Sequence, residues 1–156
     1  MKKGIRLHLL GDQKGASLVE LAAVLPLFLL ILFGAVDFGR AYFLANEIAG
    51  AAHAAAEYGA QNPTDTTGIS KAATADAPDV PSLLVGTPTY GCECSDGTSF
   101  SANCSASPTC TYNVVYRVSV TVSANYTPLF PFLWKWGGVP SSISLSSTAV
   151  MRSGNS

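Results

Sequence analysis

Four cysteines are the residues whose spacing most clearly indicates chemistry: they follow the pattern C-x-C-x9-C-x5-C at Cys92, Cys94, Cys104 and Cys110. A zinc knuckle usually has C-x2–4-C spacing, whereas an even number of cysteines outside the cytoplasm is typical of disulfide bonds. We therefore predict two disulfides and no metal site. Three pairings are possible. A bond between Cys92 and Cys94 would be strained, so we expect each to pair with either Cys104 or Cys110.

The chain offers little from which to build a catalytic site. Its only histidines are His8 and His53, and no Ser/His/Asp set, phosphate-binding loop or pair of carboxylates in a plausible pocket can be assembled. His53 lies among alanines and is expected to be a solvated helix residue. We predict a protein that is not an enzyme and has no cofactor or small-molecule substrate. A net charge of −1 also argues against nucleic-acid binding.

Glu20 is the only ionisable residue in the segment 16–36. A carboxylate in a membrane-spanning helix costs about 2.5–3.5 kcal/mol at the bilayer centre and less near the edge, so it normally has a partner. In one interpretation the side chain reaches the nearby lipid headgroups. In the other, a peptidase cuts between Gly15 and Ala16, and the new α-amino group of one subunit pairs with Glu20 of a neighbour.

The apolar segment itself predicts a single membrane crossing. Residues 21–36 carry no charge, and charged residues make up 12% of the chain, about half the usual ~25% of a soluble domain. A bilayer core of about 30 Å needs about 20 helical residues. The alternative, a buried helix of a soluble protein, is disfavoured because the remaining residues are too few and too polar to enclose it.

The charges before this segment predict its orientation. Lys2, Lys3, Arg6 and Lys14 against Asp12 give residues 1–15 a net charge of +3. The positive-inside bias therefore keeps the N-terminus cytoplasmic and exports the C-terminus.

A cleaved secretory signal is the competing interpretation of the same segment. The apolar stretch is longer than a typical signal core and contains Glu20 and Pro26. The best small-x-small cleavage site after it, at residues 39–41, is poor.

Two polar residues, Asp37 and Arg40, follow the apolar segment at i,i+3 spacing. A surface pair of this kind contributes only about 0.2–0.5 kcal/mol. We expect it to fix the depth of the span, together with Phe38, Tyr42 and Phe43 as an interfacial aromatic belt. A specific docking contact is the alternative.

The predicted helix continues well past the membrane, because residues 40–60 contain no proline and are rich in alanine. Small residues recur there in steps of four and three, which places them on one helix face. Such a face would allow another helix or a small domain to approach closely. Its residues are Ala45, Ala49, Ala52, Ala56 and Gly59.

These segments resemble the N-terminal module of the TadE-like proteins, which belong to the tight-adherence (Flp pilus) machinery. The resemblance covers residues 14–59 and lies in KGASLVE at 14–20, VLPLF at 24–28, Phe33-Gly34 and DFGRAY at 37–42. The tail also looks similar, in YTPLFP at 126–131 and in residues 144–152. The resemblance implies a minor pilin or pseudopilin that a prepilin peptidase cuts after Gly15. It also implies assembly roles for Glu20, Pro26, Asp37 and Arg40.

The rest of the chain predicts a small β-domain. The helix is expected to end at Gly59, before Asn62-Pro63, and 69–77 to form a short helix. Period-two alternation predicts strands at 111–125 and 142–151. The aromatic segment 129–138 between them is expected either to fold back onto the sheet or to rest on the membrane or a partner.

The predicted fold class is therefore α+β, with a long N-terminal transmembrane helix that continues into an extracytoplasmic rod and packs with a small antiparallel sheet. The predicted divisions are a cytoplasmic leader at 1–15, the helix and TadE-like module at 16–59, a linker with a short helix at 60–90 and a disulfide-containing β-domain at 91–156.

The predicted function is that of a minor pilin or pseudopilin in the inner (cytoplasmic) membrane. Its expected partners are the membrane, a prepilin peptidase and other pilins or pilus assembly proteins. Whether it enters the filament is left open. The alternative is a membrane-tethered binding or adhesion module that shares only the anchor.

Overall fold

The structure, a computed structural model, describes residues 13–80, 82–106, 108–131, 135, 137–138 and 140–154. Most of the predicted leader, with His8 and all its basic residues except Lys14, lies outside the described residues. So do four members of the aromatic segment, namely Phe132, Leu133, Trp134 and Trp136.

Helix α1 extends over Gln13–Gln61 and continues through Pro26. It ends two residues later than predicted, directly before Asn62-Pro63, because the residue that precedes a proline is disfavoured in helical geometry. The chain consists of two compact units that divide within this helix, between Val36 and Asp37.

The described part of the first unit is a helix with mostly exposed side chains. Its side chains are large and apolar on all sides, and most of those from Leu18 to Val36 are exposed. By length and composition this is a helix that can cross a membrane, and its most apolar window is wholly unburied. A helix that is apolar all round is suited to a lipid environment rather than to a water-facing surface.

The second unit begins with the remainder of α1 and a short second helix. Helix α2 extends over Thr66–Asp76 and starts at Asp65, whose carboxylate accepts a hydrogen bond of 2.9 Å from the Gly68 amide. This N-cap satisfies one of the free amide groups in the first turn. Tyr58 of α1 donates to the same carboxylate at 2.8 Å and so ties the two helices together.

Five antiparallel strands form one sheet among the described residues. They are β1 (Leu84–Val85), β2 (Thr89–Cys94), β3 (Phe100–Ser101), β4 (Val114–Tyr126) and β5 (Ile143–Gly154). The longest strand, β4, is central: β5 pairs along one of its edges, and β1 and β2 pair along the other. β3 pairs with the outer edge of β2. A short 3₁₀ helix occupies Cys104–Ala106.

The core lies where one face of β4 meets α1 and α2. Val118, Val120 and Val122 are fully buried on that face, and Ala149 of β5 lies opposite Val120 in the register. They cluster with Ile69 and Ala73 of α2 and with Ile48, Ala51, Ala52, Ala55 and Ala56 of α1. Alanines let the helix backbone approach the sheet closely, which explains why this part of α1 is rich in small residues.

Two disulfides close the far end of β2. They join Cys92 to Cys104 and Cys94 to Cys110, with Cα–Cα distances of 5.3 and 5.5 Å. Cys92 and Cys94 are buried. The bonds therefore tie the irregular segment after β3 to the sheet, where a domain of this size has little core of its own.

Candidate functional site: the Asp37 dock

A buried carboxylate lies at the point where α1 stops being uniformly apolar. The side chain of Asp37 is completely inaccessible to solvent. Its Oδ1 accepts hydrogen bonds from the Leu129 amide at 2.9 Å and from the Tyr126 hydroxyl at 3.2 Å. Its Oδ2 accepts one from the Phe130 amide at 3.3 Å. We call Asp37, Tyr126, Leu129 and Phe130 the Asp37 dock, since together they fasten the end of β4 to α1.

Tyr126 is held on two sides of the dock. Its hydroxyl donates to the Asp37 carbonyl oxygen at 2.8 Å as well as to the carboxylate. The Arg40 guanidinium lies 5.8 Å from the centre of the Tyr126 ring, within the range of a cation–π contact. Burial, and secondarily the negative charge of Asp37, raise the pKa of Tyr126 above its ordinary value, while Arg40 acts in the opposite direction.

The sheet is what brings Tyr126 to Asp37. Side chains of a strand alternate between its two faces, so Tyr126 lies on the same face of β4 as the buried valines and continues their row to the end of the strand. Pro128 then prevents regular pairing, and the next two amides turn towards the carboxylate. A bound carboxylate therefore satisfies backbone donors that the sheet no longer uses.

Asp37 corrects one expectation from the sequence. A surface ion pair with Arg40 requires an exposed carboxylate, and Asp37 is fully buried. The physical reason is that the end of β4 supplies three donors to it, which only a non-local fold can bring there. Asp37 makes its hydrogen bonds within this chain, and its predicted roles in setting the depth of the span and in assembly stay predictions.

Sequence reasoning missed the partners in the dock. The sequence predicts only that segment 129–138 folds back onto the sheet or rests on the membrane or a partner, and it does not connect Tyr126, Leu129 or Phe130 with Asp37. One sequence feature points to this turn. The uncharged sequence YTPLFP at 126–131 follows the long strand predicted at 111–125. That signal indicates a special turn but does not identify its partner.

Glu20 and Pro26, also proposed for assembly, lie in the first unit with the predicted cleavage site at Gly15 and Ala16. Gly15 and Glu20 are exposed along α1, and Ala16 and Pro26 are within the helix. Gly15 has no heavy atom within 4 Å of the position that a Cβ would occupy. The bond between residues 15 and 16 therefore lies in the helical part of the described chain.

The face of small residues on α1 is divided between sheet and solvent. Ala52, Ala56 and Gly59 are buried in this chain's own core, Ala49 is half-buried and Ala45 is exposed. A Cβ on Gly59 would lie 2.9 Å from a methyl group of Val118, so this position has no room for a side chain. The part of the face beyond Ala49 is thus occupied within the subunit, and Ala45 remains accessible. His53 is exposed, as expected for a solvated helix residue.

A second buried carboxylate lies on the opposite face of the sheet. Glu93 accepts hydrogen bonds from the Arg152 guanidinium, the shorter at 3.0 Å, and lies 3.4 Å from Nε of Arg117. The Arg117 guanidinium also lies 5.3 Å from the Phe100 ring. Because Arg117 and Arg152 face each other across β4 and β5, the single carboxylate offsets their mutual repulsion. This cluster stabilises strand pairing.

Among the described residues, no group of three His, Cys, Asp or Glu side chains is arranged to hold a metal ion. The four cysteines that a zinc site would need are all in disulfides.

Comparison with known proteins locates the resemblance on the same helix. Residues 15–57 match the family model of TadE-like proteins, in agreement with the resemblance seen in the sequence. The matched segment contains Glu20, Asp37 and Arg40 and ends before the last turn of α1. No curated protein and no solved structure matches the chain.

Proposed function

We propose that this chain is a minor pilin or pseudopilin of a tight-adherence (Flp-type) pilus or a related secretion system. In this proposal it is a single-pass protein of the inner membrane, with a cytoplasmic N-terminus and an extracytoplasmic sheet. The observation that carries the proposal is the match of residues 15–57 to TadE-like proteins, over a helix whose first unit is apolar and exposed.

The proposed mechanism starts with removal of the leader. A prepilin peptidase cuts between Gly15 and Ala16, which creates an α-amino group one helical turn from Glu20. Inside a bilayer neither an ammonium nor a carboxylate is stable alone, so the ammonium of one subunit pairs with Glu20 of its neighbour. Subunits then associate through α1 in the membrane, while the sheet remains outside.

Mass spectrometry of the membrane-extracted protein tests the cleavage. Co-expression with the prepilin peptidase from the same gene neighbourhood is expected to yield a chain that starts at Ala16. A Gly15→Leu variant is expected to keep its leader, since a bulky side chain would replace the residue before the cut. A wild-type chain that keeps residues 1–15 in the presence of the peptidase would overturn the processing step.

Glu20 substitutions test the assembly step separately. Glu20→Ala should be cleaved normally yet lower the amount of pilus recovered by shearing at least about tenfold, because about 2.5–3.5 kcal/mol opposes an unpaired charge in the bilayer. Glu20→Gln keeps the size but not the charge and should behave like Glu20→Ala. Glu57→Ala, at an exposed position of the same helix, is the matched control and should assemble normally.

Cleavage and pilus yield also distinguish the proposed pilin or pseudopilin from the alternative, a membrane-tethered binding module that shares only the anchor. Such a protein would remain in the membrane with its leader intact, and deleting its gene would leave pilus yield unchanged. Cleavage at Ala16 combined with loss of pili on deletion is the result expected for a pilin or pseudopilin.

A further inference from the structure

Exposed aromatic side chains follow the apolar part of α1 directly. The 20 residues from Ser17 to Val36 rise about 30 Å, which equals the thickness of a bilayer core. The next two turns carry Phe38, Tyr42 and Phe43, with exposed fractions of 69, 65 and 61%. Phe38 and Tyr42 lie on one side of the helix at i,i+4, and Phe43 lies about 100° further round from Tyr42.

The turn at residues 127–131 supplies the side of the helix that these aromatics leave uncovered. Its Leu129 amide is bonded to Asp37, the first residue after Val36, yet the Leu129 side chain is 54% exposed. The turn contains no charged residue, and its sequence is TPLFP. A water-facing turn is normally rich in glycine, asparagine, aspartate or serine. Leu129 is thus an exposed apolar side chain at about the same level along α1 as the aromatic residues Phe38, Tyr42 and Phe43.

We infer that the turn 127–131 is a second membrane contact, in which Leu129 enters the boundary between headgroups and acyl chains of the same bilayer that α1 crosses. The partner is the phospholipid surface, and Asp37 sets the depth at which the turn meets it. This inference rests on the proposed membrane anchoring.

Lipid, rather than a second copy of the chain, fits the arrangement of these side chains. A protein partner would cover one side of the helix, whereas Phe38, Tyr42, Phe43 and Leu129 are distributed around it within a few residues of rise. A planar interface meets all sides at one depth, and aromatic side chains are enriched there.

Asp37 is suited to its position at this boundary. A carboxylate exposed to a partly dehydrated headgroup layer would lose hydration without gaining a partner. Here three protein donors replace the water, so the turn is fixed at a depth where few solvent molecules are available.

Depth-dependent fluorescence quenching tests the inference. The full chain carries Leu129→Trp in a background where Trp134→Phe and Trp136→Phe leave it as the only tryptophan. It is reconstituted in vesicles of phosphatidylcholine and phosphatidylglycerol with brominated acyl chains. The control is Tyr112→Trp in the same background. Tyr112 is 70% exposed and precedes the opposite end of β4, about 40 Å along a strand of 13 residues.

The emission of Leu129→Trp is expected to shift to shorter wavelength and to be quenched at least about twofold by bromines near the interface, whereas Tyr112→Trp stays unquenched. The inference would be overturned if the two variants were quenched equally while the protein still floated with the vesicles. That result would leave the proposed membrane anchoring by α1 unaffected. A blue shift that depends on the ratio of protein to lipid, without bromine quenching, would mean a second copy covers Leu129 and would also overturn it. Failure to float with the vesicles would overturn the anchoring itself.

Variants of the Asp37 dock test whether Asp37 sets the depth of residue 129 in the bilayer. Adding Asp37→Asn to Leu129→Trp should lower the quenching, because the turn is released from α1. Tyr126→Phe, a milder change to the same dock, should lower it less. Unchanged quenching in both would overturn the role of Asp37 in setting the depth.

Discussion

Asp37→Asn is the most informative single change, because it keeps the size of the side chain and removes its charge and one acceptor. Both carboxylate oxygens are in use: Oδ1 accepts from Leu129 and Tyr126, and Oδ2 accepts from Phe130. A carboxamide has one oxygen. In either orientation of the amide, its NH2 group therefore faces a backbone or hydroxyl donor.

The size of the effect follows from the bonds that change. A hydrogen bond to a charged group contributes about 1.5–3 kcal/mol, and a neutral one about 0.5–1.5 kcal/mol. Asp37→Asn loses at least one charged bond and weakens the others. Because the Leu129 and Phe130 amides are only partly buried, water restores some of the loss. We expect the free energy for opening the turn to fall by about 1.5–2.8 kcal/mol, which corresponds to roughly 10–100-fold more frequent opening.

Hydrogen exchange of the protein in lipid nanodiscs measures this opening locally. Peptides that cover residues 127–131 should exchange roughly 10–100-fold faster in Asp37→Asn, while peptides from the centre of β4 should keep their wild-type rates. Asp79→Asn, at an exposed position in the same unit, is the matched control and should change neither. Tyr126→Phe should have a smaller effect, since both amides keep their acceptors.

Two outcomes would refute this account of the dock. Wild-type exchange at 127–131 in Asp37→Asn would mean that the carboxylate does not hold the turn. Equal acceleration throughout β4 would mean that the change acts on global folding rather than on local docking.

Three further predictions concern the second unit. Ala55→Leu should destabilise it by about 1–3 kcal/mol because the buried site has no room, whereas Ala45→Leu at an exposed site should change the urea midpoint little. Replacing both Cys94 and Cys110 by serine should lower the free energy of unfolding by about 3 kcal/mol, the value for a loop of this length. An unchanged urea midpoint would mean that the protein does not form this disulfide. Since the pKa of Tyr126 is raised on folding, its contribution to stability is present below the ordinary value near 10 and is lost as pH rises through the raised pKa. Tyr126→Phe should remove a late step from the alkaline absorbance titration, and an unaltered titration would contradict the assignment.

Local patterns predicted most elements of the fold. Strands predicted at 111–125 and 142–151 are observed as Val114–Tyr126 and Ile143–Gly154, because alternation with period two follows directly from half-burial. The short helix predicted at 69–77 begins three residues earlier, at Thr66. The earlier start reflects the Asp65 cap.

Non-local contacts set the limits of sequence-based prediction. Residues 60–90 contain several prolines, which predict a linker, yet Leu84–Val85 and the start of β2 pair with β4. The role of Asp37 could not be predicted for the same reason. Its partners lie 89–93 positions away in the chain, and nothing in the local i,i+3 pattern distinguishes a buried carboxylate from a surface one.

The position of Asp37 explains how one helix can serve two environments. Before it, α1 exposes large apolar side chains on all sides; after it, alanines and Ile48 are buried against a sheet. A carboxylate that is fully buried needs the donors that Tyr126 and the following turn supply, since burial of an unpaired charge is costly. The docked sheet and the buried carboxylate therefore stabilise each other.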